Sequence, residues 1–134
     1  MELKVQHIGL CVKSIDEYMA KMDKLYGCKE IGKMRLNLPE AGQTSALIEM
    51  AGMNFEFMEP IGEEGVVPKF LAKKGEGFHH IGIYCSDIPA LAKIFEGLGL
   101  RVLGDPASGG FFSSPKETGG ILYEFSNIKD TERN

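Results

Sequence analysis

Two histidines and two glutamates recur at matching places in the two halves of this 134-residue chain. Residues 7–15 read HIGLCVKSI and residues 80–88 read HIGIYCSDI, so His7 and His80 are equivalent. Late in each half a glutamate stands between aromatic residues, in Phe55-Glu56-Phe57 and in Tyr123-Glu124-Phe125. Imidazole nitrogens and carboxylate oxygens are ligands for divalent cations such as Co²⁺, Ni²⁺, Zn²⁺ or Mn²⁺. The duplicated residues therefore predict a metal site.

A simpler interpretation competes with this one for each residue taken alone. A single histidine on a strand is usually a hydrogen-bonded core residue, and a single glutamate at a strand edge is usually solvated. Core packing gives no reason to duplicate a glutamate between aromatics, so the recurrence of both types favours the metal site. Strand alternation also separates two adjacent histidines, because His80 matches His7 whereas His79 matches Gln6 and faces the other way.

The elements that would position these residues follow one order twice. Helices are predicted after Ser14 and Asp87, two good N-cap residues, and the first should end at Gly27. A short helix is predicted over residues 67–74, and the polar tail from Asn127 is expected to fray. Alternation and apolar content predict strands over residues 3–12, 28–35, 44–50, 55–59, 78–85, 100–103, 111–112 and 121–126.

This order, βαβββ repeated, predicts an α+β fold. We expect a single domain over residues 1–134, built from two paired βαβββ modules that form a curved mixed eight-stranded sheet cupped around the metal site. The first module would cover about residues 3–60, the linker about 61–76, and the second module about 77–127. On the first strand the more apolar face, which carries Leu10 and Val12, should be covered by a helix.

Composition argues against several classes of function. A net charge of −4 provides no basic stripe for a nucleic acid. No apolar run approaches the roughly 20 residues that span a bilayer, and the first residues lack a signal-peptide pattern. The three cysteines, Cys11, Cys28 and Cys85, show no CxxC spacing, so neither a disulfide framework nor a thiolate zinc site is expected. We therefore expect a cytoplasmic protein.

Five stretches resemble a known family and cover nearly the whole chain: HIGLCVKSI, LPEAG, FEFMEPIG, FLAKKGEGFHHIGIYCSDI and SPKETGGILYEF. The chain resembles the vicinal oxygen chelate superfamily, and within it the methylmalonyl-CoA epimerases most closely. The resemblance implies that the metal ligands are His7, Glu56, His80 and Glu124. It also implies that Glu40, in LPEAG, is a catalytic base, with Glu124 as the candidate for a second one.

The implied reaction is the epimerisation of a 2-substituted acyl-CoA such as methylmalonyl-CoA. One group removes the weakly acidic proton between the thioester and the carboxylate, and another returns a proton to the opposite face. A divalent metal would stabilise the enolate formed between these steps. The expected partners are the acyl-CoA substrate and a second copy of the chain in a homodimer. Ser114 stands where the epimerases usually carry a histidine, and the segment 104–115 is shorter than theirs. The identity of the acyl group is therefore not determined by the resemblance.

Three alternatives also stay open. A lactoylglutathione lyase would use the same four ligands and an enediolate, but it should carry an arginine where Cys11 stands. A non-catalytic small-molecule-binding protein of the same fold would need no metal, and the presence of all four ligands counts against it. An extradiol dioxygenase with His7, His80 and Glu124 on iron usually needs a longer chain.

Overall fold

The computed structural model describes residues 1–132, apart from the side chain of Lys33. Within this range the chain forms seven strands and three helices. They are β1 Leu3–Cys11, α1 Ile15–Tyr26, β2 Cys28–Leu38, β3 Gln43–Met50, β4 Met53–Pro60, α2 Val66–Lys74, β5 Gly77–Cys85, α3 Ile88–Gly97, β6 Gly110–Phe112 and β7 Tyr123–Ser126. None of the helices in the described range is long and apolar enough to cross a membrane.

One compact unit comprises Ile8–His79, with the strand order β2-β3-β4-β1. In it β1 pairs with β4 in parallel, placing Gly9 opposite Glu56, and the other pairs are antiparallel. Helix α1 begins where the Ser14 side chain accepts a hydrogen bond from the Glu17 N–H. It covers the predicted apolar face of β1, because its side chains join a buried cluster made by Val12, Ile15, Ala46, Ile48, Met50 and Phe57.

The other compact unit comprises residues 1–7 and 80–132, with the strand order β1-β5-β7-β6. Here β5 pairs with β7 in parallel, placing Gly82 opposite Glu124, and β6 runs antiparallel to β7. The Asp87 side chain caps α3 by accepting a hydrogen bond from the Ala90 N–H. The core of this unit consists of Cys85, Ile88, Leu91, Ala92, Phe95, Phe111 and Phe125.

These observations confirm the predicted α+β class with a mixed, open sheet. The eighth strand, predicted over residues 100–103, is reduced to one bridge in which Leu103 and Phe112 exchange two backbone hydrogen bonds. The reason is that the preceding donors bond elsewhere: the Leu100 N–H donates to Phe95 O, and the Arg101 N–H donates to the Glu117 carboxylate. The division into modules at residues 3–60 and 77–127 stays a prediction.

The expectation of a frayed tail is wrong for residues 127–132. The Asn127 N–H donates to Gly109 O, and a 3₁₀ turn covers Asp130–Glu132. Asp130 is only 4% exposed. Polar composition suggested solvation, but a carboxylate with its own hydrogen-bond partners is stable in a buried position.

Candidate metal centre

The two equivalent histidines lie against each other in the unit that contains residues 1–7 and 80–132. His7, on β1, and His80, on β5, are 0% and 2% exposed. Their rings meet edge to face, with the two Nε2 atoms 3.0 Å apart. Two ligand atoms bound at about 2.1 Å to one cation, at angles near 90–109°, are separated by about 3.0–3.4 Å. The imidazole pair therefore has the spacing of two ligands of one ion.

Glu124 brings a carboxylate to the same place from β7. Its Oε1 lies 3.5 Å from His7 Nε2 and 3.9 Å from His80 Nε2. The side chain is 30% exposed, so it reaches the imidazoles while keeping one side open to solvent. Two imidazole nitrogens and one carboxylate, with room for water or substrate, are the donor set of an open divalent-metal site.

Gly82 explains why the HIG sequence requires a glycine in the second half. A Cβ atom built on Gly82 would overlap the imidazole ring of His7. The glycine leaves the space on β5 that the ring occupies, two residues after His80 on the same face of the strand. The third residue of HIG is therefore part of the site, although it offers no ligand atom.

Glu56 lies in the unit Ile8–His79, on β4, and is 4% exposed. It pairs in register with Gly9, which follows His7 by two residues on β1. Burial raises the pKa of the nearby Cys11 thiol to about 12, and the Glu56 carboxylate adds to that shift. Cys11 is therefore a neutral thiol near pH 7 and not a thiolate ligand. The role of Glu56 as a metal ligand stays a prediction.

Asp130 is a site residue that the sequence did not reveal. Its carboxylate oxygens lie 2.9 and 3.1 Å from His7 Nδ1, the ring nitrogen directed away from His80. The residue lies beyond the second repeat, in a tail with no apolar periodicity. No local sequence pattern predicts a contact between residues that are 123 positions apart in the chain.

Two further predicted residues, His79 and Glu40, belong to the unit Ile8–His79. His79 is half-buried on the other face of β5, and its ring meets Phe70 edge to face at 5.3 Å. Glu40 is exposed in a 3₁₀ turn, Pro39–Ala41, of the unit Ile8–His79. That turn is held closely against residues 61–65, because a Cβ on Gly42 would overlap the Glu64 carbonyl and one on Gly65 would overlap the Ala41 carbonyl.

A cavity of about 390 Å³ opens beside Glu124. It lies within the unit of residues 1–7 and 80–132, and its walls include Phe112 and Ile128. The glycine-rich segment that departs from the epimerase pattern also lines it, through Gly104 and residues 108–110. Its acidic wall residues are Asp105 and Glu124, and no lysine or arginine contributes to the described lining.

Comparison with known proteins identifies the family. A model described as the Glyoxalase/Bleomycin resistance protein/Dioxygenase superfamily matches residues 6–113, most of the chain. The chain belongs to this superfamily. Members of the superfamily bind divalent metals, which agrees with the donor set found here.

Three proteins illustrate its similarities within the superfamily. The uncharacterized protein YqjC of Bacillus subtilis is 28% identical, over 98% of this chain and 96% of that protein. The ethylmalonyl-CoA/methylmalonyl-CoA epimerase of Cereibacter sphaeroides is 28% identical, over 93% and 98%. A Glu-to-Gln variant of the Streptomyces coelicolor methylmalonyl-CoA epimerase, solved with 2-nitronate-propionyl-CoA, is 27% identical over 91% and 94%, with a TM-score of 0.76.

The two adjacent histidines provide a direct test of the centre. Replacing His80 with Ala removes one proposed ligand atom and should weaken Co²⁺ binding by about ten-fold or more. His79→Ala is the matched control, because it removes an imidazole one residue away on the other face and should leave Co²⁺ affinity unchanged. Titration of the metal-free proteins, followed by the visible absorption of Co²⁺, measures both affinities. Equal losses in the two variants would contradict the assignment of His80.

Proposed function

We propose that this protein is a metal-dependent epimerase of a 2-substituted acyl-CoA such as methylmalonyl-CoA. The observation that carries the proposal is the convergence of two buried imidazoles, with Nε2 atoms 3.0 Å apart, and the Glu124 carboxylate. Relatives that are named epimerases, at 25–28% identity, support this choice of reaction. The solved relative that binds 2-nitronate-propionyl-CoA supports an acyl-CoA as the partner.

The proposed ligands of the ion are His7, Glu56, His80 and Glu124. A divalent ion in that position would supply the Lewis acidity that stabilises negative charge developing on the thioester oxygen. The cavity beside Glu124 has no described basic wall residue, so a substrate carboxylate would depend on the ion for a positive partner. The donor types suit Co²⁺, Ni²⁺, Zn²⁺ or Mn²⁺, and availability decides among them.

Proton transfer is assigned to carboxylates of the chain. Glu40 accepts the proton from the carbon between the thioester and the carboxylate, which leaves an enolate and a neutral Glu40 side chain. Inversion then requires a proton from an acid on the opposite face. Glu124 is the candidate for this second group, because it lines the cavity and is partly exposed, so it can take up a proton from solvent and then donate it to the enolate carbon. A carboxylate that also binds the ion is a weaker base, which favours Glu40 as the principal one.

The lyase alternative is disfavoured by the position of Cys11. That side chain is fully buried, and its thiol is neutral near pH 7, so it cannot replace an arginine that binds a glutathione carboxylate. The homodimer and the cytoplasmic location stay predictions.

Solvent exchange tests the proposed reaction. Racemic methylmalonyl-CoA incubated in D₂O with the Co²⁺-loaded protein should gain deuterium at the carbon between the thioester and the carboxylate, because the enolate is reprotonated from exchangeable groups. Mass spectrometry or proton NMR measures the incorporation. Methylglyoxal plus glutathione should give no thioester absorbance. No deuterium incorporation together with thioester absorbance would contradict the epimerase proposal and support a lyase.

Glu40→Gln tests the proposed base. The substitution keeps the size of the side chain but removes the proton acceptor, so turnover should fall by about 10²–10⁴-fold. Metal content should stay unchanged, because Glu40 is not among the proposed ligands. Glu63→Gln, at another exposed glutamate of the same unit, is the matched control and should retain full turnover. Near-normal turnover of the Glu40 variant would show that Glu40 is only a solvated residue.

A further inference from the structure

The tail after β7 returns to β1 and is held there by two consecutive residues. The Gln6 side chain binds it twice: its Oε1 accepts a hydrogen bond from the Asp130 N–H at 2.9 Å, and its Nε2 donates to Ile128 O at 3.1 Å. The next residue, His7, contacts the Asp130 carboxylate. The Ile128 N–H also donates to Ser126 Oγ. This network gives the tail a defined path in a segment of polar composition.

The contact between Asp130 and His7 determines which ring nitrogen of His7 carries the hydrogen. Both carboxylate oxygens lie within 3.1 Å of the same ring nitrogen, Nδ1. A carboxylate only accepts hydrogen bonds, so the hydrogen of a neutral His7 ring belongs on Nδ1. The lone pair is then on Nε2, the atom that faces His80 Nε2 and Glu124 Oε1. Both partners are nearly fully buried, so solvent competes little with this hydrogen bond.

We propose that Asp130 is a positioning residue, which fixes the tautomer and the ring orientation of His7 so that Nε2 is available to a divalent cation. The inference rests on the proposed metal-binding function of the centre. Asp130 itself does not touch the ion or the substrate. A hydrogen-bonded carboxylate makes an imidazole a stronger ligand, and loss of such a partner typically weakens metal binding by about 10–100-fold.

Two measurements on the full chain test this role. The first is the affinity for Co²⁺ alone: Asp130→Ala should bind about 10–100-fold more weakly than the wild type. Asp130→Asn keeps an oxygen that can accept from Nδ1 and should recover part of this loss. Thr131→Ala, at the exposed neighbour in the same turn, is the matched control and should bind Co²⁺ like the wild type.

The second measurement is the ¹⁵N NMR spectrum of the His7 ring in the metal-free protein. The wild type should show a protonated Nδ1 and an unprotonated Nε2, whereas Asp130→Ala should show a mixture of tautomers. A purely structural role for the tail would change stability without changing this ratio. If Asp130→Ala fails to fold, the Asn variant provides both readouts and should show a weaker preference for Nδ1–H than the wild type.

The outcomes separate this inference from the proposed function. Wild-type Co²⁺ affinity in a folded Asp130→Ala, or unchanged ring signals, would overturn the role of Asp130 and leave the epimerase proposal standing. If only Asp130→Asn folds, the role of Asp130 would be overturned by a Co²⁺ affinity and His7 ring signals that both match the wild type. If the wild type binds no Co²⁺, the proposed function is overturned together with the positioning role.

Discussion

The meeting of two imidazoles at their Nε2 atoms is the interaction on which the proposed site depends. His7 and His80 come from different strands, are both buried, and approach to 3.0 Å. Two nitrogen lone pairs repel at that distance, so the pair is stable only when a proton or a cation is shared between them. A carboxylate at 3.5 Å adds negative charge on the same side. Burial strengthens these interactions, because little solvent screens them. A divalent cation bound by both Nε2 atoms would relieve the repulsion between the lone pairs.

The strand pairing shows how a duplicated sequence produces this arrangement. In each unit a parallel pair places the HIG glycine opposite the glutamate, with Gly9 opposite Glu56 and Gly82 opposite Glu124. Each glycine follows its histidine by two residues on the same face, so the register determines how far each glutamate lies along the strand from its histidine. A shift of one residue in either pair would turn the glutamate to the other face. The sheet register is therefore as necessary to the site as the ligand types.

Many elements of the fold and several residues of the candidate site could be predicted from local sequence patterns. Ser14 and Asp87 marked helix starts, and the repeat distinguished His80 from His79, because caps and alternation depend on near neighbours. Asp130 could not be predicted, since its contact with His7 joins distant parts of the chain. The predicted strand over residues 100–103 forms only the bridge at Leu103, because the Leu100 and Arg101 N–H groups bond outside the sheet. The proposed role of Glu40 rests only on family resemblance, because an exposed glutamate in a turn has no distinctive sequence pattern.

His7 and His80 are proposed to bind one divalent ion through their Nε2 atoms. A crystal structure of the Co²⁺-loaded protein, with anomalous diffraction recorded at the cobalt edge, would locate this ion. We expect a single strong peak about 2.0–2.2 Å from both Nε2 atoms, with carboxylate oxygens completing the coordination. Cobalt bound only at surface carboxylates, with the two imidazoles still in direct contact at saturating Co²⁺, would contradict this proposal.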